Sequence, residues 1–175
     1  MITTSREIEE RAVERIADLM CVSARTAPKA RGVDNLVTMI VKAREKELLA
    51  ETMRRMSKTH EAPTFVRDAE CVDKAALVVL LGQKVSPIGV KPCGLCGFSD
   101  CGECVTKHGR CAISVGDFGI AVGSAASTAA MHHVDNRVMY TVGKAALELD
   151  LFEDAVHLVY GIPLSVSGKN PFFDR

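Results

Sequence analysis

Four cysteines lie within twelve residues of this chain, and a fifth follows seven residues later. They are Cys93, Cys96, Cys101, Cys104 and Cys111. Thiolates bind zinc and iron–sulfur clusters, and thiols this dense can converge on one metal centre. The spacing Cys-x2-Cys-x4-Cys-x2-Cys favours an iron–sulfur cluster, because the two cysteine pairs of a zinc site are usually separated by about a dozen residues or more. Zinc is the main alternative, and a thiol redox role without a metal is the other.

The glycines between these cysteines suit a tight ligand loop. Gly94, Gly97 and Gly102 permit positive φ angles, which would turn backbone N–H groups towards the sulfurs. Three ligands can come from such a loop, and the fourth can come from farther along the chain. The residues alone leave Cys104 and Cys111 open as that fourth ligand.

The composition indicates a globular protein of one domain, residues 1–175, with the cysteine-rich loop 92–111 inserted in it. The chain has 47% hydrophobic residues and equal numbers of basic and acidic residues, 22 of each. A net charge of zero gives no electrostatic basis for binding nucleic acid. The N-terminus is too polar for a signal peptide, and no apolar run is long enough to span a membrane, so a cytoplasmic location is expected. Seven cysteines, an odd number, argue against a disulfide framework.

Helical and strand patterns alternate along the chain. A capping box at Thr4 and Glu7 predicts the first helix. Apolar periodicity predicts the remaining elements. The predicted helices are 42–58, 67–75, 117–132 and 135–149, and the predicted strands are 36–41, 76–81 and 155–160. The alternation favours an α+β class with α/β-like order, and the Gly- and Ala-rich stretch 117–132 favours a central helix that packs closely on a neighbour.

Two sets of motifs carry a family resemblance. The run Cys93-Gly-Leu-Cys96-Gly-Phe-Ser-Asp-Cys101 resembles the start of small four-iron ferredoxin-type domains, whose fourth cysteine lies well downstream; this resemblance favours Cys111 over Cys104. Over nearly its whole length, the chain resembles a family of archaeal and bacterial proteins that contain a ferredoxin domain. The motifs are the cysteine loop, Asp117-Phe-Gly-Ile-Ala-Val-Gly-Ser-Ala, Val134-Asp-Asn-Arg137, and Gly161-Ile-Pro163 through Phe172-Phe-Asp-Arg175.

A second resemblance is to the FMN-dependent nitroreductases. It rests on Ser23-Ala-Arg-Thr-Ala-Pro28 before a strand, on Asp117 at the start of a small-residue helix, and on a late Gly-x-Pro. It implies a mixed sheet flanked by helices, and a homodimer that holds FMN at its interface. The flavin-binding residues implied are Arg25, Lys29, Arg31 and Asn35.

Two functions are therefore expected from the sequence. The first is electron transfer by a [4Fe-4S] cluster, with FMN in the same homodimer as the electron acceptor, which would make the protein an FMN-dependent oxidoreductase. The second is a non-enzymatic module, stapled by an Fe–S cluster or by zinc, with a structural or redox-sensing role. The sequence names neither the substrate nor the redox partner, and no catalytic residue is assigned.

Overall fold

The computed structural model describes residues 2–173, so the last two residues of the predicted C-terminal motif, Asp174 and Arg175, lie outside the described part. The helices are α1 (Ser5–Thr26), α2 (Ala43–Thr59), α3 (Thr64–Lys74), α4 (Cys101–Thr106), α5 (Ala112–Met131) and α6 (Tyr140–Glu148). The strands are β1 (Leu36–Val41), β2 (Leu77–Lys84), β3 (Asp135–Asn136) and β4 (Val156–Ser165). A short 3₁₀ turn spans Ala30–Gly32.

The four strands form one sheet in the order β1-β2-β4-β3. All of its pairings are antiparallel, where a mixed sheet was expected. Strand β2 is central and is covered on both faces, which accounts for its continuous apolar run. Strand β4 extends to Ser165, beyond the predicted end at Tyr160. Pro163 fits within it because β3 is only two residues long and leaves most of that side of β4 unpaired.

Helices cover both faces of the sheet. Because side chains alternate along a strand, Val78 and Leu80 pack against α2, α3 and α6, whereas Leu77 and Val79 pack against α1 and α5. Helix α6 lies so close to β4 that Gly143 could not carry a Cβ without striking the backbone of Val159. These layers confirm the α+β class.

Two helix starts differ from the sequence expectation. Helix α5 begins at Ala112, directly after Cys111, and not at Asp117. The predicted helix 135–149 begins only at Tyr140, because Asp135 and Asn136 pair with the end of β4. Within residues 2–173, no helix is both long enough and apolar enough to cross a lipid bilayer.

Candidate metal centre

The cysteine loop begins with two glycine turns. Gly94 and Gly97 have φ angles of +103° and +84°, and the Gly97 N–H donates to the Gly94 carbonyl at 2.9 Å. Both glycines therefore adopt the positive φ expected from the sequence, which side chains other than glycine rarely tolerate. Gly102 does not, because it lies in the first turn of α4.

Helix α4 is fixed by its N-terminal cap. The Asp100 carboxylate accepts the Glu103 N–H at 2.8 Å, and the Glu103 carboxylate accepts the Ser99 N–H at 2.8 Å and the Ser99 hydroxyl at 2.7 Å. The two hydrogen bonds from Ser99 lower the pKa of Glu103. This helix was not among the elements predicted from the sequence. Its signal was present, since an Asp followed three residues later by Glu is a capping pattern.

All five cysteines line one depression. Cys93 and Cys96 come from the glycine turns, Cys101 and Cys104 from α4, and Cys111 from the residue before α5. Residues three apart on a helix lie on the same side, which is why Cys101 and Cys104 share this surface. Cys93 is exposed, whereas Cys104 and Cys111 are only 1% and 6% exposed. The thiols thus differ in solvent exposure, from the exposed Cys93 to the buried Cys104 and Cys111.

Cys104 is the most buried of the five. Its sulfur and the Phe98 ring fill the space where a side chain at Gly109 would lie. Burial raises the pKa of the Cys104 thiol, and so do its hydrogen bond with Cys96 and the charges of Cys111 and Cys101. Several thiolates cannot share this depression without a compensating cation, which a bound metal centre would supply.

Cys111 is the N-cap residue of α5, a helix of 20 residues. The N-terminus of a helix carries partial positive charge, which favours an anionic sulfur at that position. Within the described residues, no group of three or more His, Cys, Asp or Glu side chains is arranged to hold a metal ion. The structure brings both candidates for the fourth ligand to the same depression, so the choice between Cys104 and Cys111 stays open.

Two of the predicted flavin ligands hold the end of α1. The Arg25 guanidinium donates at 2.7 Å to both the Asp34 carboxylate and the Leu36 carbonyl. The Lys29 ammonium, 7% exposed, donates to three carbonyls at the C-terminus of α1, including that of Ala27 at 3.0 Å. The last carbonyls of a helix lack partners within the helix, and a buried cation satisfies them.

The other two predicted flavin ligands contact the segment that leads into the cysteine loop. The Arg31 guanidinium donates to the carbonyls of Ile88 and Gly89 at 3.3 and 3.0 Å. The Asn35 amide donates to the Ser86 hydroxyl at 3.1 Å. The connection between α1 and β1 and the approach to the cysteines are therefore tied together by side chains that were predicted to contact a flavin.

Asp117 completes this connection from α5. Its carboxylate, 7% exposed, accepts the Ala30 N–H at 3.1 Å. Arg31, the next residue, has a φ of +56°, an uncommon conformation for a residue with a side chain. Asp117 thus holds the turn in the conformation that directs Arg31 towards Gly89.

Comparison with solved structures agrees with the fold. A nitroreductase with bound FMN from Desulfitobacterium hafniense matches 97% of this chain and 81% of its own, with a TM-score of 0.58 and 12% identity. NfrA2 of B. megaterium matches with a TM-score of 0.56 at 16% identity; the alignment covers 90% of this chain but only 59% of NfrA2. At these identities the likeness shows a nitroreductase-like fold and nothing more.

The sequence relatives are more specific. A protein of Archaeoglobus fulgidus is 38% identical over 184 residues, covering 100% of this chain and 98% of its own. Residues 107–175 match the family model described as "Uncharacterized protein containing a ferredoxin domain". That matched range includes Cys111 and excludes the other four clustered cysteines. With this relative along its whole length, the chain belongs to the family of ferredoxin-domain-containing proteins.

Proposed function

We propose that this protein is an iron–sulfur redox protein that holds a [4Fe-4S] cluster on Cys93, Cys96 and Cys101, with Cys111 or Cys104 as the fourth ligand. The observation that carries the proposal is the convergence of five thiols from a loop, α4 and α5 on one depression. The type and number of donors fit, because cubane clusters are held by four cysteine thiolates. The thiols as placed do not form a finished ligand set among residues 2–173, so they would have to draw together around the cluster. The ferredoxin-domain description of the family supports the same assignment.

The surrounding residues would tune such a cluster and give electrons access to it. An iron–sulfur cluster exchanges single electrons at a potential set by net charge, hydrogen bonds to sulfur and solvent exposure. The exposed Cys93 and Leu95, the latter 74% exposed, provide an edge that a redox partner could contact. The buried Cys104 and Cys111 would shield the opposite side from water. No substrate is assigned.

A homodimer is the assembly that this proposal includes. The outer face of α5 carries Val115, Ile120 and Met131, which are 38%, 47% and 70% exposed. Beside them, a Cβ at Gly116, Gly119 or Gly123 would meet nothing within 4 Å. The face has no charged residue, so a second α5 could approach its backbone closely.

FMN is the second part of the proposal, and it is supported by the fold alone. The D. hafniense structure carries FMN on this fold. In the present chain, Arg25, Lys29, Arg31 and Asn35 already donate to protein oxygens, so a flavin phosphate would have to share or displace those bonds. The side chains as placed are thus not an open phosphate site, and no step is assigned to FMN.

A structural or redox-sensing role is the second candidate function. Between residues 89 and 110, Cys104 is the one buried residue, so little apolar packing holds this segment in place. A metal centre, iron–sulfur or zinc, would then staple the loop to α5.

The absorption spectrum of protein purified without oxygen distinguishes the iron–sulfur proposal from the zinc-stapled alternative. An iron–sulfur protein should be brown with broad absorbance near 400 nm, bleached by dithionite and restored by air-free oxidation. A colourless preparation that contains stoichiometric zinc would support the zinc-stapled module. FMN, if bound, should appear in the supernatant after acid denaturation; no flavin there after reconstitution with FMN would remove that part of the proposal.

A further inference from the structure

A second cavity, of about 300 Å³, lies on the α2–α3–α6 side of the sheet, away from the depression formed by the cysteines. Three parts of the chain form it: α3, the segment before α6, and the last described residues. We refer to it as the basic pocket. Its lining residues are Arg67, Glu70, Cys71, Lys74, Arg137 and the segment 171–173.

Positive charge is in excess around the basic pocket. Arg67 is neutralised by Asp68, whose carboxylate accepts two of its N–H groups at 2.8 and 2.9 Å. Lys74 and Arg137 form no ion pair with any residue between 2 and 173, and the one acid in the lining is Glu70. A pocket with two uncompensated cations and one carboxylate attracts an anion.

An adjoining depression of about 280 Å³ adds to this charge. It shares Lys74 and Phe173 with the basic pocket and contributes Lys169. Lys169 likewise has no ion-pair partner in the described part of the chain. Three cations without an ion-pair partner among residues 2–173 therefore face one continuous concave surface, whose described lining holds a single acid, Glu70.

Arg137 is held in position to receive a ligand. One of its terminal nitrogens donates to the Phe172 carbonyl at 2.8 Å, and its guanidinium lies over the Phe173 ring, 4.9 Å from the centroid. These two contacts fix the plane of the guanidinium, and its other N–H groups donate to no residue between 2 and 173. A fixed guanidinium matches the two oxygens of a carboxylate or phosphate group and loses little side-chain entropy when it binds them.

We propose that the basic pocket binds a small anion that carries a phosphate or carboxylate group. Arg137 supplies the paired N–H donors and Lys74 supplies the second charge, with Lys169 at the rim. The site is separate from the cysteines and does not depend on a bound cluster.

The reactivity of Cys71 can be used to measure binding in the pocket. Cys71 lines the cavity and is 6% exposed. Burial, with a smaller contribution from the charge of Asp68, raises the pKa of its thiol, and the charges of Arg137, Lys74 and Arg67 only partly oppose this rise. Its alkylation should therefore be slow, and the rate should fall further when the pocket is filled. The experiment is the rate of N-ethylmaleimide addition at Cys71, read by peptide mass mapping, with inorganic phosphate or malonate titrated at constant ionic strength.

We expect saturable protection of Cys71, half complete at an anion concentration on the order of 1 mM. Comparison of the phosphate and malonate titrations shows which anionic group the pocket prefers. Lys74→Gln should raise the half-protecting concentration about tenfold, since it removes one charge-assisted contact. Lys58→Gln, at an exposed position on α2, is the matched control and should leave the half-protecting concentration unchanged.

Protection equal to that given by chloride would overturn the proposal. So would saturable protection that Lys74→Gln and Lys58→Gln change to the same extent. A thermal melt of the parent chain tests the site without any variant. A ligand that binds the native state must raise its melting temperature. No rise at saturating phosphate and malonate would also contradict the site.

Discussion

The guanidinium of Arg31 donates to the carbonyl of Gly89 at 3.0 Å, four residues before Cys93. This contact joins the turn after α1 to the segment that delivers the first cysteine. Asp117, in the second turn of α5, holds the same turn through Ala30. The cysteine loop is therefore positioned from two directions, by α5 at its end and by Arg31 at its beginning.

Replacing Arg31 by Gln should loosen the start of the cysteine loop without unfolding the sheet. Hydrogen bonds from a charged group contribute about 1.5–3 kcal/mol, so local opening of the loop should become roughly tenfold or more easier. The measurement is the rate at which the cluster bleaches in air. Arg11→Gln, an exposed change on α1, should bleach like the parent; equal rates in all three proteins would show that Arg31 has no positioning role.

Separate replacement of Cys104 and Cys111 by Ser tests the fourth ligand. Loss of a true ligand should reduce the iron bound per chain sharply, whereas loss of the other thiol should leave iron in place with a modest change in potential. The resemblance to ferredoxin-type domains predicts the larger loss for Cys111→Ser. If Cys104→Ser alone loses its iron, Cys104 is the ligand and that prediction is wrong.

Replacing Asp100 by Ala should weaken α4, because the Asp100 carboxylate caps the helix at the Glu103 N–H. Loss of such a cap costs about 0.5–2 kcal/mol. Amide hydrogen exchange over 101–106 should therefore accelerate, with little change in the sheet. Asp154→Ala, an exposed acid in the connection before β4, is the control, and α4 exchange that matches this control would rule out the cap as a determinant of the loop.

The apolar outer face of α5 can be tested by charge. Ile120→Glu should convert a dimer to a monomer, since an unpaired carboxylate would be buried at the interface. The side chain is 47% exposed within one chain, so the monomer should remain folded. Sedimentation velocity reads the result, and Val22→Glu on α1, at a position 57% exposed, is a matched apolar-to-acid change. A monomeric parent chain would dismiss the homodimer.

Asp34 should give the fold a modest acid sensitivity. Burial raises the pKa of Asp34, but the hydrogen bonds from Arg25 and the Leu36 N–H and the charges of Arg25 and Lys29 outweigh it, so the pKa lies below its usual value of 3.8. A carboxyl with a lowered native pKa stabilises the fold above pH 4 and loses that contribution as pH falls through its native pKa. Because Asp34 is 38% exposed, the contribution should be about 1 kcal/mol at most. Asp34→Asn should remove this pH dependence of the free energy of unfolding, measured by urea denaturation below pH 4. An unchanged pH dependence in the variant would contradict the role of Asp34.

The sequence predicts the framework of the fold well, for physical reasons. Strand β2 is buried on both faces and reads as an uninterrupted apolar run, and α1 begins at a complete capping box, with Glu7 accepting the Thr4 N–H at 2.7 Å. Helix α4 was not predicted because six residues are too few to show a helical period of apolar residues, although Asp100 and Glu103 signalled its start. The late start of α6 was not predicted because Asp135 and Asn136 pair with β4, a long-range contact that keeps them out of the helix.

The candidate site, too, was predicted only in part from the sequence. The convergence of the cysteines follows from their spacing, a local property of the sequence. The partners of Arg25, Lys29, Arg31 and Asn35 could not be foreseen, because they depend on where α1 ends and on which carbonyls that end leaves unpaired. The basic pocket, too, appears only when α3, Arg137 and the C-terminal segment are brought together in space.

The main proposal for this protein is that four of the five clustered thiols hold a [4Fe-4S] cluster. The most direct test is iron and acid-labile sulfide analysis of anaerobically purified protein, with electron paramagnetic resonance after dithionite reduction. A [4Fe-4S] protein should contain about four irons and four sulfides per chain and should give a paramagnetic signal on one-electron reduction. One zinc ion per chain, with neither iron nor sulfide after anaerobic reconstitution, would contradict it.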